Sequence, residues 1–247
     1  NTVGLKPTYG RVSRYGIVAM ASSHDAIGHF TKTVEDSALI LGVTAGKDEN
    51  DATTSGEKVP DYTKNLNLEV KSLRVGIDPE FHSEHIETES LNLLKKAYDT
   101  IKNILGLQIV PDISLPHSKY SNACYYIIQT SEVSSNLARY DGIRYGNGRD
   151  SFGQEAKRRI MLGTHTLSSG YYDQYYNKAS QIRSMLIEDY RKAFEKVDVI
   201  IAPVSPTPPW KIGEKVDDPL RMYLSDVFTV TANLTGLPAL SIPIGFT

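Results

Sequence analysis

Between Leu73 and Val110 a short apolar run, a long amphipathic stretch and a second short apolar run follow one another, and that succession leaves few folds open. Leu73–Ile77 reads as a strand. Leu91, Leu94, Tyr98, Ile101 and Leu105 then recur at helical spacing between a Thr88 cap and a Gly106 stop, and Leu107–Val110 reads as a second strand. A crossover carrying so long a helix returns the chain to the same end of the sheet, so the two strands are expected to be parallel, with right-handed connection. Val197–Ala202, nearly all apolar and ended by Pro203, predicts a further strand, central and buried on both faces. The expected class is therefore α/β.

Helical periodicity predicts further helices from about Lys119 to Arg139, from Gln154 to Leu167 and from Lys178 to Lys196, a helical insertion over about 119–196. Thr33 with Asp36 three residues on resembles a capping box, opening a largely buried helix through Val34, Ala38 and Leu41 that stops at Gly46. Residues 1–32, punctuated by Gly4, Pro7, Gly10, Gly16 and Gly28, read as a shaped loop region. Near the other end, one helix from about Pro219 to Leu234 is expected to stop before Gly236, followed by a strand at Leu240–Ile244.

Composition narrows function by exclusion. With 247 residues and a formal net charge of −2, the chain offers no overall positive field to hold a polyanion. One cysteine, Cys124, excludes an internal disulfide framework and a multi-thiolate metal site, and fits a reducing compartment. No apolar run approaches the roughly 20 residues a membrane span requires. A cytoplasmic chain without a membrane partner is the expectation. It begins at Asn1 inside Gly- and Pro-punctuated sequence, which reads as a fragment.

Four stretches carry a resemblance. Thr2-Val3-Gly4-Leu5-Lys6-Pro7-Thr8-Tyr9-Gly10-Arg11-Val12-Ser13 resembles the segment that follows the nucleophile-bearing core of amidase-signature enzymes. Ser134-Ser135-Asn136-Leu137-Ala138-Arg139-Tyr140-Asp141-Gly142-Ile143-Arg144-Tyr145-Gly146 is similar to a run typical of the A subunits of glutamyl-tRNA(Gln) amidotransferases within that family. So is Lys157-Arg158-Arg159-Ile160-Met161-Leu162-Gly163 with Leu167-Ser168-Ser169-Gly170-Tyr171-Tyr172-Asp173, and Asn233-Leu234-Thr235-Gly236-Leu237-Pro238-Ala239 also matches. The chain departs from the pattern at His24 and His29, where a leucine and a proline are expected nearby, and between Gly146 and Phe152, where the family carries a longer segment.

The resemblance implies an amidase-signature fold, a mixed central sheet covered by helices on both faces, of which residues 1–247 would be the C-terminal portion of a single domain. It implies a Ser, cis-Ser, Lys triad lying upstream of Asn1, so no catalytic residue is expected here and the fragment alone should be inactive. It implies a glutaminase that releases ammonia from glutamine to convert Glu-tRNA(Gln) to Gln-tRNA(Gln). The B and C subunits of the amidotransferase would be its partners, the tRNA would be reached through the B subunit, and ATP and Mg would be used by the partner, leaving this chain without a cofactor. By the same resemblance Arg159 would bind the α-carboxylate of glutamine, Asp226 its α-ammonium, and Tyr126 would sit beside the reacting amide, with Tyr125 an alternative to Tyr126.

By spacing alone, Lys157, Arg158 and Arg159 read as a solvated helix face, and Tyr126 as core filler. Arg159 is preferred to Arg158 because it borders the stripe of Ala156, Ile160, Gly163 and Leu167, whereas Arg158 falls with Glu155 and His165. His82 and His85, beside Glu84 and Glu87, have the spacing of metal ligands but no further ligand nearby, so no metal site is expected. The Ser22-Ser23 and Ser168-Ser169 pairs stand outside any Gly-x-Ser-x-Gly elbow, and turn and cap roles suit them better. Two other functions compete: a stand-alone amidase of small amides, and a non-catalytic binding or scaffold module.

Overall fold

In a computed structural model the strand–helix–strand unit forms as its spacing predicts. Residues 2–64, 66–67, 70, 72–78, 86–111, 113–214 and 218–246 are described, so the expectation at His82 and His85 lies outside the described residues. Strand β3 (Arg74–Ile77) pairs parallel with β4 (Gln108–Pro111), in the register Arg74 to Gln108, across helix α2 (Thr88–Asn103). Strand β5 (Val199–Ile200) adds parallel to the other side of β3, giving the order β4-β3-β5. The predicted Val197–Ala202 strand is thus shortened, and it is β3 that is central. Val197 is 1% exposed at the end of a helix, whereas Val199 is 41% exposed on the edge strand, so the apolar run reflects packing at its ends rather than burial on both faces.

Arg74 fastens that edge. Its Nε and Nη2 donate to Asp198 at 3.1 and 2.8 Å, which holds the Asp198 carboxyl down at about 2 against an ordinary 3.8. A folded-state value depressed in this way contributes stability in full above the unfolded value, and the contribution is lost as the pH falls from about 3.8 toward about 2. Urea midpoints of the parent should therefore fall further between about pH 6 and about pH 3 than those of Asp198→Asn. Equal losses in the two proteins would dismiss the linkage.

The second sheet is antiparallel, and it corrects the reading of residues 1–32 as loop. Strand β1 (Val3–Lys6) lies between β2 (His29–Thr31) and β6 (Ala239–Ser241). The predicted closing strand at Leu240–Ile244 is shorter and starts one residue earlier. Strands of both senses are present, divided between two three-stranded sheets among the described residues. Helix α1 (Val34–Thr44) packs on β1 and β2 and is capped by the Thr33 hydroxyl, which accepts from the Asp36 N–H at 3.0 Å. It is not the buried helix expected. Apolar residues surround it, one side only can meet the sheet, and Val34, Leu39 and Val43 stay 41%, 53% and 87% exposed.

The helical insertion is where sequence and structure agree most closely: α3 (Ser121–Leu137), α4 (Gln154–Leu167) and α5 (Lys178–Lys196). Cys124, Ile128, Ala179, Leu186 and Leu234 form a core between α3, α5 and the end of the chain; fully burying Leu186 and Leu234, both 0% exposed, contributes about 1.5–3 kcal/mol each. The Cys124 thiol donates to the Ala179 carbonyl at 3.1 Å, and burial pushes it up to about 11.

Helices α3 and α4 meet along small polar residues instead. Thr130 and Ser131 return their hydroxyls to the Tyr126 and Ile127 carbonyls at 2.6 and 2.7 Å, and Ser131 also meets the Thr166 hydroxyl at 2.7 Å. Their polar groups are satisfied within the helix pair, so burying them costs little. No bulky group separates the backbones there. A Cβ built on Gly163 would lie 1.9 Å from the Thr130 carbonyl oxygen, which only the lack of a side chain permits.

The helix expected from Pro219 to Leu234 is two helices, α6 (Pro219–Leu224) and α7 (Val230–Thr235), joined by turns at 225–229. Val227 and Thr229 are β-branched and weak helix formers, and the Thr229 hydroxyl donates to the Asp226 carbonyl at 3.1 Å, fixing a turn instead. Helix α7 ends at Gly236, whose φ of 73° is the left-handed stop anticipated.

Candidate substrate-binding site

The break between α6 and α7 matters because it carries Asp226. From that turn the Asp226 carboxylate reaches α3, where the Tyr126 hydroxyl donates to its Oδ2 at 2.9 Å. Burial first, and then the Asp226 charge and hydrogen bond, raise the Tyr126 hydroxyl far above the usual phenol range, so it remains a neutral donor.

The ring of the same phenol lies near a cation. The Arg159 guanidinium carbon stands 5.8 Å from the Tyr126 ring centroid and 5.8 Å from that of Tyr223 on α6. Those two rings stack at 4.4 Å and 29°. Tyr125 meets Tyr126 edge-on at 5.2 Å and also feels the Arg159 charge, so it borders the cluster without touching Asp226 through a described hydrogen bond. The structure thus gathers Tyr126, Arg159 and Asp226, from three separate segments, into one cluster.

Two members were not anticipated in this role. Glu155, one turn before Arg159 on α4, accepts from Arg159 Nε at 2.7 Å, and its Oε1 also accepts from the Tyr223 hydroxyl at 2.8 Å. Burial alone would raise the Glu155 carboxyl, but the bonds from Arg159 and Tyr223 and the arginine charges outweigh it and hold the group below its ordinary range. The i, i+4 spacing of Glu155 and Arg159 was available as a sign of the ion pair. Tyr223 offered no comparable mark.

Arg158 also pairs with Glu155, but its side chain is 41% exposed against 18% for Arg159, which agrees with the stripe on α4. The serine pairs behave as turn and cap residues: Ser168 donates to the His165 carbonyl at 2.7 Å as α4 ends, Ser22 accepts from Asn136 at 2.9 Å and Ser23 from Arg183 at 2.8 Å. His24, one of the two departures, is 4% exposed and 5.5 Å from the Tyr125 ring, with neither ring nitrogen hydrogen-bonded among the described residues. Burial, and then Arg183, depress it to about 4. His29 meets the Ser37 hydroxyl at 2.8 Å. A hollow of about 270 Å³ bounded by Ser22, Ser131, Glu132 and Tyr176 shares no residue with the cluster.

A fixed cation and a fixed anion on one neutral phenol suit a ligand that carries both charges, because each charge must be paired once water is removed. Comparison with known proteins defines the frame for that arrangement. The family model described as Amidase matches residues 1–247.

The chain belongs to the amidase family. Its fold is the α/β fold of amidase-signature enzymes: the A subunit of the Thermotoga maritima glutamyl-tRNA(Gln) amidotransferase superimposes with a TM-score of 0.81 at 41% identity, covering 100% of this chain and 51% of that one. Relatives named as the A subunit of glutamyl-tRNA(Gln) amidotransferase are 52% identical in Desulfatibacillum aliphaticivorans, over 100% of this chain and 53% of that protein, and 52% identical in Thermodesulfovibrio yellowstonii, over 99% and 53%. The chain spans about half the length of the curated relatives it matches. A 6-aminohexanoate cyclic dimer hydrolase, at 21% identity and a TM-score of 0.80, shares the fold. Among the described residues no helix is long and apolar enough to cross a membrane, and no cluster of metal-ligating side chains occurs.

Proposed function

We propose that the intact protein is the glutaminase subunit of a tRNA-dependent amidotransferase, and that these residues, as a portion of one amidase-signature domain, supply the wall that holds free glutamine. The observation that carries this reading is the convergence of Arg159 and Asp226 on Tyr126. Arg159 pairs the α-carboxylate, Asp226 pairs the α-ammonium, and Tyr126 lies between them toward the side-chain amide. Relatives about half of whose residues are identical are named as the A subunit of glutamyl-tRNA(Gln) amidotransferase, which supports an amidotransferase role over a stand-alone amidase.

In this reading the nucleophilic serine and its base come from residues outside the 247. Ammonia freed from glutamine serves the B and C subunits, with Glu-tRNA(Gln) held through the B subunit and ATP and Mg used there. The formal charge of −2 agrees with the tRNA being gripped elsewhere. The cytoplasm is its place.

Asp226→Asn tests the reading directly. In the intact protein the substitution should weaken glutamine binding on the order of 30–100-fold, because it removes one charge-assisted bond to a desolvated ammonium. Binding of glutaramic acid, which lacks the α-ammonium, should change little. Calorimetric titration of both ligands makes the comparison, and a glutamine affinity within twofold of the parent would remove Asp226 from the site.

A further inference from the structure

We infer that Glu155 and Tyr223 are positioning residues for the α-carboxylate of the substrate: together they fix the Arg159 guanidinium by its Nε and so present its Nη edge to the ligand. The inference rests on the glutamine reading above and goes beyond it in saying what makes the site selective.

An arginine on an exposed helix samples many rotamers, and a guanidinium that binds a carboxylate through two parallel bonds tolerates little misalignment. Arg159 is held by an acceptor and by a stacked pair of rings. Glu155 takes Nε at 2.7 Å, and the Tyr126 and Tyr223 rings stand equally distant from Cζ, at 5.8 Å. A guanidinium has five N–H donors, so with Nε on Glu155 and a contact to Tyr125 it still has N–H groups to offer a second carboxylate.

The same Glu155 oxygen accepts the Tyr223 hydroxyl at 2.8 Å, tying α4 to α6. Tyr223 stacks on Tyr126, Tyr126 donates to Asp226, and Asp226 follows Tyr223 by three residues on the turn out of α6. With the turn's backbone bond from Asp226 N–H to the Tyr223 carbonyl at 3.2 Å, the contacts close a loop: Glu155, Tyr223, Asp226, Tyr126, Arg159 and back to Glu155. Fixing one end of the loop fixes the separation between the cation and the anion. The Arg191–Glu195 pair on α5, which Glu188 joins on the same helix, is by contrast more than half exposed on both sides and is flanked by no described aromatic ring.

The test uses the intact enzyme with its partner subunits, reading ammonia release from glutamine and from 4-aminobutanamide, which is glutamine without its α-carboxylate. Glu155→Ala should raise KM for glutamine about tenfold with kcat within about twofold, and leave kcat/KM for 4-aminobutanamide within about twofold of the parent. Glu155→Gln, which keeps an acceptor oxygen, should restore KM to within about threefold. Tyr223→Phe should raise it in the same sense by about threefold. Should Glu155→Ala not fold, Glu155→Asp, one methylene too short to reach Nε, should show most of the KM effect.

Equal losses on both amides, or a fall in kcat with KM unchanged, would overturn the inference. If Arg159→Ala raises KM for glutamine and the Glu155 variants do not, the positioning role fails and the glutamine site survives. If the parent turns over 4-aminobutanamide as well as glutamine, both fail together.

Discussion

Replacing Arg159 with alanine is expected to weaken glutamine binding by several hundred-fold, on the order of 3–4 kcal/mol, in calorimetric titrations of the intact protein. Three losses combine. The ligand carboxylate would be desolvated without a partner, and an unpaired buried charge costs far more than the pair is worth. The Tyr126 and Tyr223 rings would lose the cation they flank, and Glu155 would lose its Nε donor and gain freedom to repel the incoming carboxylate. Arg159→Lys, which keeps the charge without the planar fork, should fall between parent and alanine variant. Arg158→Ala serves as the neighbour control and should stay within about threefold, since that side chain is 41% exposed. A Kd for Arg159→Ala within about fivefold of the parent would end the assignment of the cation.

Gly163→Ala is expected to lower stability by about 2–4 kcal/mol, seen as a fall of roughly 5–10 °C in Tm. In an open helix interior the same change stabilises by about 1 kcal/mol, so its sign alone is informative. Here the added methyl would stand 1.9 Å from the Thr130 carbonyl oxygen, 2.5 Å from its carbon and 2.9 Å from the Ser134 Cβ. Two of those atoms are backbone and cannot swing aside, so α4 must move off α3. Function should suffer as well, because Tyr126 lies four residues before Thr130 and Arg159 four residues before Gly163. Each site residue is one turn from the closest approach of the two helices. Unchanged or increased stability of Gly163→Ala would show that the seam is looser than the structure depicts.

The long helices and the parallel strand–helix–strand unit were legible in the sequence because they express a period over many residues. Gln154–Leu167 and Lys178–Lys196 were read to the residue, helped by periodic apolar positions and polar flanks. Strands β1 and β2 were not: at four and three residues they are too short to show alternation, and β1 finds its other partner, β6, more than 230 residues away. The α6–α7 break was missed because Leu220, Leu224, Phe228 and Thr231 keep helical spacing across it while β-branched Val227 and the Thr229 turn act locally against it.

For the site, Tyr126, Arg159 and Asp226 were reached by resemblance, and nothing in their spacing announced that they converge. Tyr223 and the shared role of Glu155 stayed hidden because their hydrogen bond joins positions 68 residues apart. Such a contact has no footprint in local pattern.

The small-residue seam between α3 and α4 has a practical side. Since Thr130 and Gly163 hold the helices together while Tyr126 and Arg159, one turn earlier, carry the proposed glutamine contacts, scaffold and proposed recognition occupy different turns of the same two helices. If the proposed site holds, a library that redirects amide choice can vary 126, 155, 159, 223 and 226, and should hold 130 and 163 constant throughout.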